Sequence, residues 1–452
     1  MTTRSARLAI LLTTAIVCPA AAQVIQSAPG ATRGIFGTSG GTATGSPIFA
    51  VTVDLDGGYD GNSIEEREGT PTQFFAFRSG VVASGAASAR FQVGTPERYL
   101  LGVASSGIDQ QQVARGSRFY RQWRSAASLQ AATNLGRRTG LSASAGMSYD
   151  PTFVFGAFDA VNRNAGEENP LVDSGPPPAD ATLSVTPQRW LRNRGGASLF
   201  RNWTARQRMT LQYDGLSLRP SEGEGLVGNT NSASLTHLWS PSETSGLELV
   251  YRFDHWALTQ TGVTAPPITA HTAEARFKRE RRLSPNRSVS FMLGGGVISV
   301  EDGLQPGSGL LGQVSPTVSG TVQLSLQPTW SVSLGARRDV TVIGGLSAEP
   351  FESKSATLSL EATPSRRLSV GLRAAYSQGA SRRTPTGGFD QALVNARLQY
   401  ALSTSAGLTL GYALGRNEFR DVVLAPSAFP PRFRRQSLRL GLTFWLPLYG
   451  TF

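Results

Sequence analysis

The sequence predicts an all-β fold: a closed antiparallel transmembrane β-barrel of about 16–18 strands, with short periplasmic turns and longer extracellular loops. Three observations predict it. Apolar and polar residues alternate at period two in segment after segment. The connections between those segments alternate between short and long. Beyond the first twenty residues, no stretch approaches the roughly 18–20 consecutive apolar residues of a membrane-crossing helix.

Composition agrees. In 452 residues there are 50 glycines, charged residues make up 16% and hydrophobic residues 40%. The mean hydropathy of -0.15 is far below that of a helical membrane protein. At the N-terminus, Arg4 and Arg7 precede the apolar run Leu8 to Cys18 and the small residues Ala20, Ala21 and Ala22. That order of basic, apolar and small residues is a secretory signal, so residues 1–22 are set apart from the fold. A lipoprotein reading through Cys18 meets bulky Ile16 and Val17 where small residues are expected. Cys18 is the one cysteine of the chain, which leaves the mature protein without disulfides or cysteine-based metal and thiol chemistry. Loss of Arg4 and Arg7 takes two from the formal charge of +12. A basic secreted chain suits a membrane surface or an anion-attracting pore, and a signal peptide argues against nucleic acid.

Residues 23–45 show no alternation and read as a flexible periplasmic leader, and residues 46–452 read as the barrel. The alternation begins with Phe49, Val51, Val53 and Leu55 and returns in Leu141, Ala143, Ala145, Met147 and Tyr149. It continues through Leu247, Leu249, Tyr251 and Phe253, then Val322, Leu324 and Leu326, then Val332, Leu334 and Ala336. Segments 356–362, 368–376 and 391–402 repeat it, and 438–452 closes the series with Leu438, Leu440, Leu442, Phe444, Leu446 and Leu448. In each, the opposite parity carries Gly, Ser, Thr, Gln or Arg. Short connections read GRRTG, SPSETSG, SPNRS, PTWS, TPSRR and STSAG, and long ones include GNSIEEREGTP, EDGLQPGSGLLGQ and SQGASRRTPTGG. An even strand number puts both ends of the mature chain on the periplasmic side.

A soluble sandwich would also alternate, but its polar face would be richly charged and its loops short at both ends. In hydrocarbon every backbone group needs an internal partner, and a closed barrel supplies one. Aromatics at strand ends, among them Tyr59, Tyr149, Trp239, Tyr251, Trp330, Tyr376, Tyr400 and Tyr449, suit the two interfacial girdles.

The signal peptide, the alternating strands and the terminal stretch LRLGLTFWLPLYGTF resemble a proteobacterial outer-membrane protein. The resemblance implies the outer membrane of a Gram-negative bacterium, contact with its lipid and lipopolysaccharide, and assembly by the barrel-assembly machinery, with Phe452 as the assembly signal. The stretches FAVTVDLDGGYDGN and LEATPSRRLSVGL resemble the β-barrel porin families that include proteins linked to exopolysaccharide export.

Candidate chemistry is sparse. His237 shares parity with Leu235 and Trp239, His255 shares parity with Phe253, and His271 sits where loop meets strand, so the three do not converge on one acid-base site. Asp254-His255 is the one suggestive pair for a barrel enzyme acting on lipid or peptide. Asp54, Asp56, Asp60, Asn62 and Glu65 have calcium-loop spacing, but Tyr59 stands where an EF-hand requires glycine. No enzyme, metal or cofactor is expected.

The lumen-facing parity holds ten candidate pore-lining cations: Arg124, Arg192, Arg194, Arg252, Arg276, Lys278, Arg337, Arg373, Arg397 and Arg439. Barrels of this size enclose water, and charged rings in such a pore select ions. The third outer loop carries Asp159, Glu167, Glu168 and Asp173, candidates for a constriction if it folds inward as in general porins, or for a solvated acidic loop if it does not. These readings predict a porin-like channel for passive passage of small hydrophilic or anionic solutes, monomeric or homo-trimeric, with polysaccharide export as the alternative.

Overall fold

The computed structural model describes residues 48–65, 80–95, 99–115, 118–150, 190–220, 227–260, 263–264, 267–302, 313–326, 329–342, 350–382, 386–420 and 432–449. The signal segment, the leader, the four acids of the third loop and Phe452 lie outside the described residues. The first part of the wall is β1 (Ile48–Glu65), β2 (Gly80–Thr95), β3 (Tyr99–Arg115), β4 (Arg118–Asn134) and β5 (Thr139–Asp150). It continues through β6 (Trp190–Thr204), β7 (Gln207–Pro220), β8 (Val227–Ser242), β9 (Ser245–Gln260) and the two-residue β10 (Val263–Thr264). Then come β11 (Ile268–Ser284), β12 (Arg287–Asp302), β13 (Gln313–Leu326), β14 (Trp330–Val342) and β15 (Pro350–Ser365). The last four are β16 (Leu368–Ser381), β17 (Gly388–Ala401), β18 (Ala406–Arg420) and β19 (Arg432–Tyr449).

All belong to one 19-stranded antiparallel sheet. Strand β10 only extends the edge of β9, and the eighteen long strands each pair with two neighbours. The circuit ends where β1 pairs with β19, from Phe49 opposite Tyr449 to Glu65 opposite Arg432. The sheet is therefore a closed barrel at the upper end of the expected strand number.

Alternation decides which face each residue takes. On β19, Leu438, Leu440, Leu446 and Leu448 are exposed, Leu440 at 59%, while Ser437, Arg439 and Thr443 between them are buried. The same division holds for Leu249 and Tyr251 on β9, Leu293 and Val297 on β12, and Leu334 on β14. Keeping one large apolar side chain out of water is worth roughly 1.5–3 kcal/mol. A continuous outer belt of them is costly in water and free of that cost in hydrocarbon, which makes this a transmembrane barrel. The girdle aromatics Tyr59, Trp239, Tyr251, Trp330, Tyr376 and Tyr400 are exposed on the outer face, joined by Trp203, Tyr213 and Tyr412.

The seam between β1 and β19 shows how closely the strands must approach. A side chain at Gly58 would collide with the carbonyl oxygen of Leu438 and the backbone of Arg439. On the inner face beside it, Arg439 Nη1 donates to Asp56 Oδ1 at 3.3 Å, Ser84 Oγ donates to Asp56, and Thr443 Oγ1 donates to Asp54.

Two connections depart from the expected rhythm. Only residues 205–206 separate β6 from β7, a short turn hidden in the polar run TARQR. Strands β3 and β4 are separated by two residues at the end where the other connections are long.

Candidate functional site on the inner wall

The inner wall gathers charged side chains from strands far apart in the sequence. Glu248, Arg252 and Asp254 project inward from β9 because Leu249, Tyr251 and Phe253 occupy its outer face. Glu274, Arg276 and Lys278 do the same on β11, where Phe277 faces out. Arg252 Nε donates to Asp254 at 2.6 Å, and its Nη2 lies 3.6 Å from Asp339 Oδ2 on β14. Arg337, also on β14, pairs with the same Asp339. Arg276 donates to Glu274 at 2.6 Å and lies 3.8 Å from Glu248, while Ser319 Oγ on β13 donates to Glu274. Gly294 makes room, since a side chain there would strike Ser319, Arg276 and Glu274.

Strands β9 and β14 are four steps apart along the wall. At about 4.8 Å per step no side chain could join them along the surface. The Arg252 to Asp339 contact therefore crosses the interior and narrows it. Asp254 and Glu274 are only 6% and 7% exposed, and each is ion-paired, as buried carboxylates must be.

The apolar residues nearest this network were not foreseen. Toward the long-connection end, Ile268, Ala270, Ile298, Val300 and Val340 form a buried cluster against Trp256. Further round the same end, Phe351 and Phe389 meet edge to face at 5.6 Å, and the Phe389 ring lies where a side chain at Gly379 would be. The expected inner face was polar along its whole height. Instead, this end carries buried apolar residues, all but Val340 on the inward parity, where a side chain packed on neighbours gains what one facing water would lose.

The remaining candidates are dispersed. Arg439 is tied to Asp56, Arg397 on β17 lies within electrostatic reach of Asp54, and Arg373 on β16 within reach of Glu361. Lys278 lies two residues beyond Arg276 toward the short turn. Arg192 and Arg194 on β6 also take the inward parity, opposite to Leu199, yet both are exposed, and no acid lies within ion-pair distance of either among the described residues. The backbone of Arg124 stands opposite that of Asp109 on β3.

Sequence reading missed further cations, among them Arg208 and Arg382. Arg208 stacks over Phe200 at 4.8 Å and donates to Asn202 Oδ1, and Arg382, just past β16, reaches Ser315 on β13. Arg208 shares parity with Asp214, a signal that the unrecognised turn at 205–206 concealed.

The histidines lie elsewhere. His237, His255 and His271 all take the outward parity of their strands, and His271 falls within β11. Its Nδ1 is 2.8 Å from Tyr251 Oη and its ring centroid 5.1 Å from that of Phe253. Asp254 and His255 point to opposite faces of β9, so these neighbours cannot form an acid-base pair. Asp54 and Asp56 are engaged by Thr443, Ser84 and Arg439, and among the described residues no group of three acidic, histidine or cysteine side chains could hold a metal ion.

No family model matches the chain, and no curated protein does. Solved structures do. OccAB2 of Acinetobacter baumannii aligns over 91% of this chain and 100% of its own at 11% identity, with a TM-score of 0.46. The outer membrane protein OpdK of Pseudomonas aeruginosa aligns over 88% and 99% at 12% identity and a TM-score of 0.42. OccK2 (OpdF) of Pseudomonas aeruginosa aligns over 89% and 98% at 12% identity and 0.44.

Proposed function

We propose that the chain is a porin-like channel of the Gram-negative outer membrane, passing small hydrophilic solutes passively and favouring anions. The observation that carries this reading is the inner wall at β6, where Arg192 and Arg194 face inward and are nevertheless exposed. An arginine turned into a packed interior would be paired or buried among neighbours; these two support a water-filled path along that wall. Four of the other inward cations are neutralised by acids: Arg252, Arg276, Arg337 and Arg439 each sit against a carboxylate. Arg192 and Arg194 add positive charge to the inner wall at β6, and positive charge facing a water-filled path attracts anions.

Planar-bilayer recording with the purified protein tests the reading. Stepwise conductance with a reversal potential on the anion side in a salt gradient is expected; no conductance at any voltage overturns it. In the same measurement, replacing Arg192 and Arg194 together by Gln moves the reversal potential toward the cation side without abolishing conductance.

A further inference from the structure

We propose that the outer face of β18 and β19, just above the apolar belt, is a binding site for the phosphate of a lipid: Arg416 and Arg434 grip it from two sides while its acyl chains lie against the leucines below. The inference rests on the membrane reading, and on that reading the lipid belongs to the leaflet at the long-connection end.

The register builds the site. Going up the barrel from the short-turn end, the outward pairs are Leu408 with Leu442, Leu410 with Leu440, Tyr412 with Leu438, and Leu414 with Gln436. The next pair is Arg416 with Arg434, and the one above is Glu418 with Arg432. Side chains directly opposite on antiparallel strands have Cβ atoms about 4.5–5.5 Å apart, and like charges so placed repel. The positions directly beside the pair on the flanking strands are uncharged: Ala392 stands beside Arg416 on β17 and Ser63 beside Arg434 on β1.

The acids nearby are already committed. Glu418 is shared between Arg416 at 3.4 Å and Arg432 at 3.0 Å, Asp390 is held by Arg420 at 2.6 Å, and the backbone of Glu65 stands opposite Arg432. Among the described residues no acid lies within ion-pair distance of Arg434. Side chains of Arg416, Arg420 and Arg432 are more than half exposed.

A phosphate fits what remains. Guanidinium groups bind phosphate oxygens in bidentate fashion, and one phosphate seated between two of them removes their repulsion. A free anion would gain only the charge term. A phosphorylated lipid gains in addition the contact of its chains with Leu414, Tyr412, Leu438 and Leu440, whose outward faces lead directly down from the arginines.

The test uses the full chain, purified in detergent, with diphosphorylated lipid A as the probe and native mass spectrometry as the readout. Wild type is expected to retain the lipid, and R416Q/R434Q to lose affinity about tenfold or more. The lysine pair R416K/R434K should recover part of the loss. Equal retention by wild type and R416Q/R434Q, both shown folded by heat-modifiable migration, overturns the site and leaves the barrel standing. Full displacement of the lipid by inorganic phosphate overturns the lipid assignment. A protein that needs no detergent overturns the membrane reading itself.

Discussion

Arg439 and Asp56 lie 383 positions apart in sequence and 3.3 Å apart in space, and the arginine side chain is only 7% exposed. Removing one partner of such a pair leaves a charge without its counter-ion in a place water barely reaches, at a cost of about 3–5 kcal/mol. Arg439→Ala is expected to lower the midpoint of urea unfolding in detergent by that order, and D56N/R439Q to recover most of it; a midpoint unchanged in R439A would show that the pair is idle. Single residues were partly legible in the sequence. Parity alone puts Arg252, Arg276 and Arg439 on the face opposite the leucines, because a strand offers only two faces. Which acid each arginine meets was not legible. Arg252 finds Asp339 across the interior from a strand nearly ninety residues on, and no local spacing encodes that.

At the scale of the strand, the period-two pattern was the clearest signal, since a slip of one residue would turn every leucine of β19 inward and Arg439 outward. Turns were less clear. The pair at 205–206 lies within polar residues on both sides and has no Gly or Pro to mark it. The inward apolar residues were less clear still: Ile268 and Ala270 share parity with Glu274 and Arg276, so the two faces differ there only in what packs on them. Close strand approach makes its own prediction. Gly58→Val puts a β-carbon on top of the Leu438 carbonyl oxygen, and the β1 to β19 ladder cannot form around it. The variant should give a large loss of the heat-modifiable, faster-migrating band in membrane preparations, whereas Gly85→Ala on β2, whose added carbon would meet only ordinary contact distances, should leave the band intact.

For the whole molecule, the proposed anion preference comes from a long-range field and must weaken as salt screens it. The screening length falls from about 10 Å at 0.1 M to about 3 Å at 1 M. The reversal potential measured at a fixed salt ratio should therefore approach zero as the absolute concentration rises, while conductance grows; a preference that persists undiminished would point to a chemical binding site in place of a field. The seam has a different consequence, one of timing. The loop closed by β1 and β19 is nearly the whole described chain, yet each doubling of loop length costs only about 0.6 kcal/mol, so equilibrium stability hardly suffers. The penalty falls on the pathway. Until β19 arrives, every strand between can be in place while β1 still offers a raw edge of unpaired donors and acceptors to whatever strand comes first, its own or a stranger's. An immature chain thus needs its first strand guarded for as long as its last is missing, and the last strand to be made is the one that ends the danger.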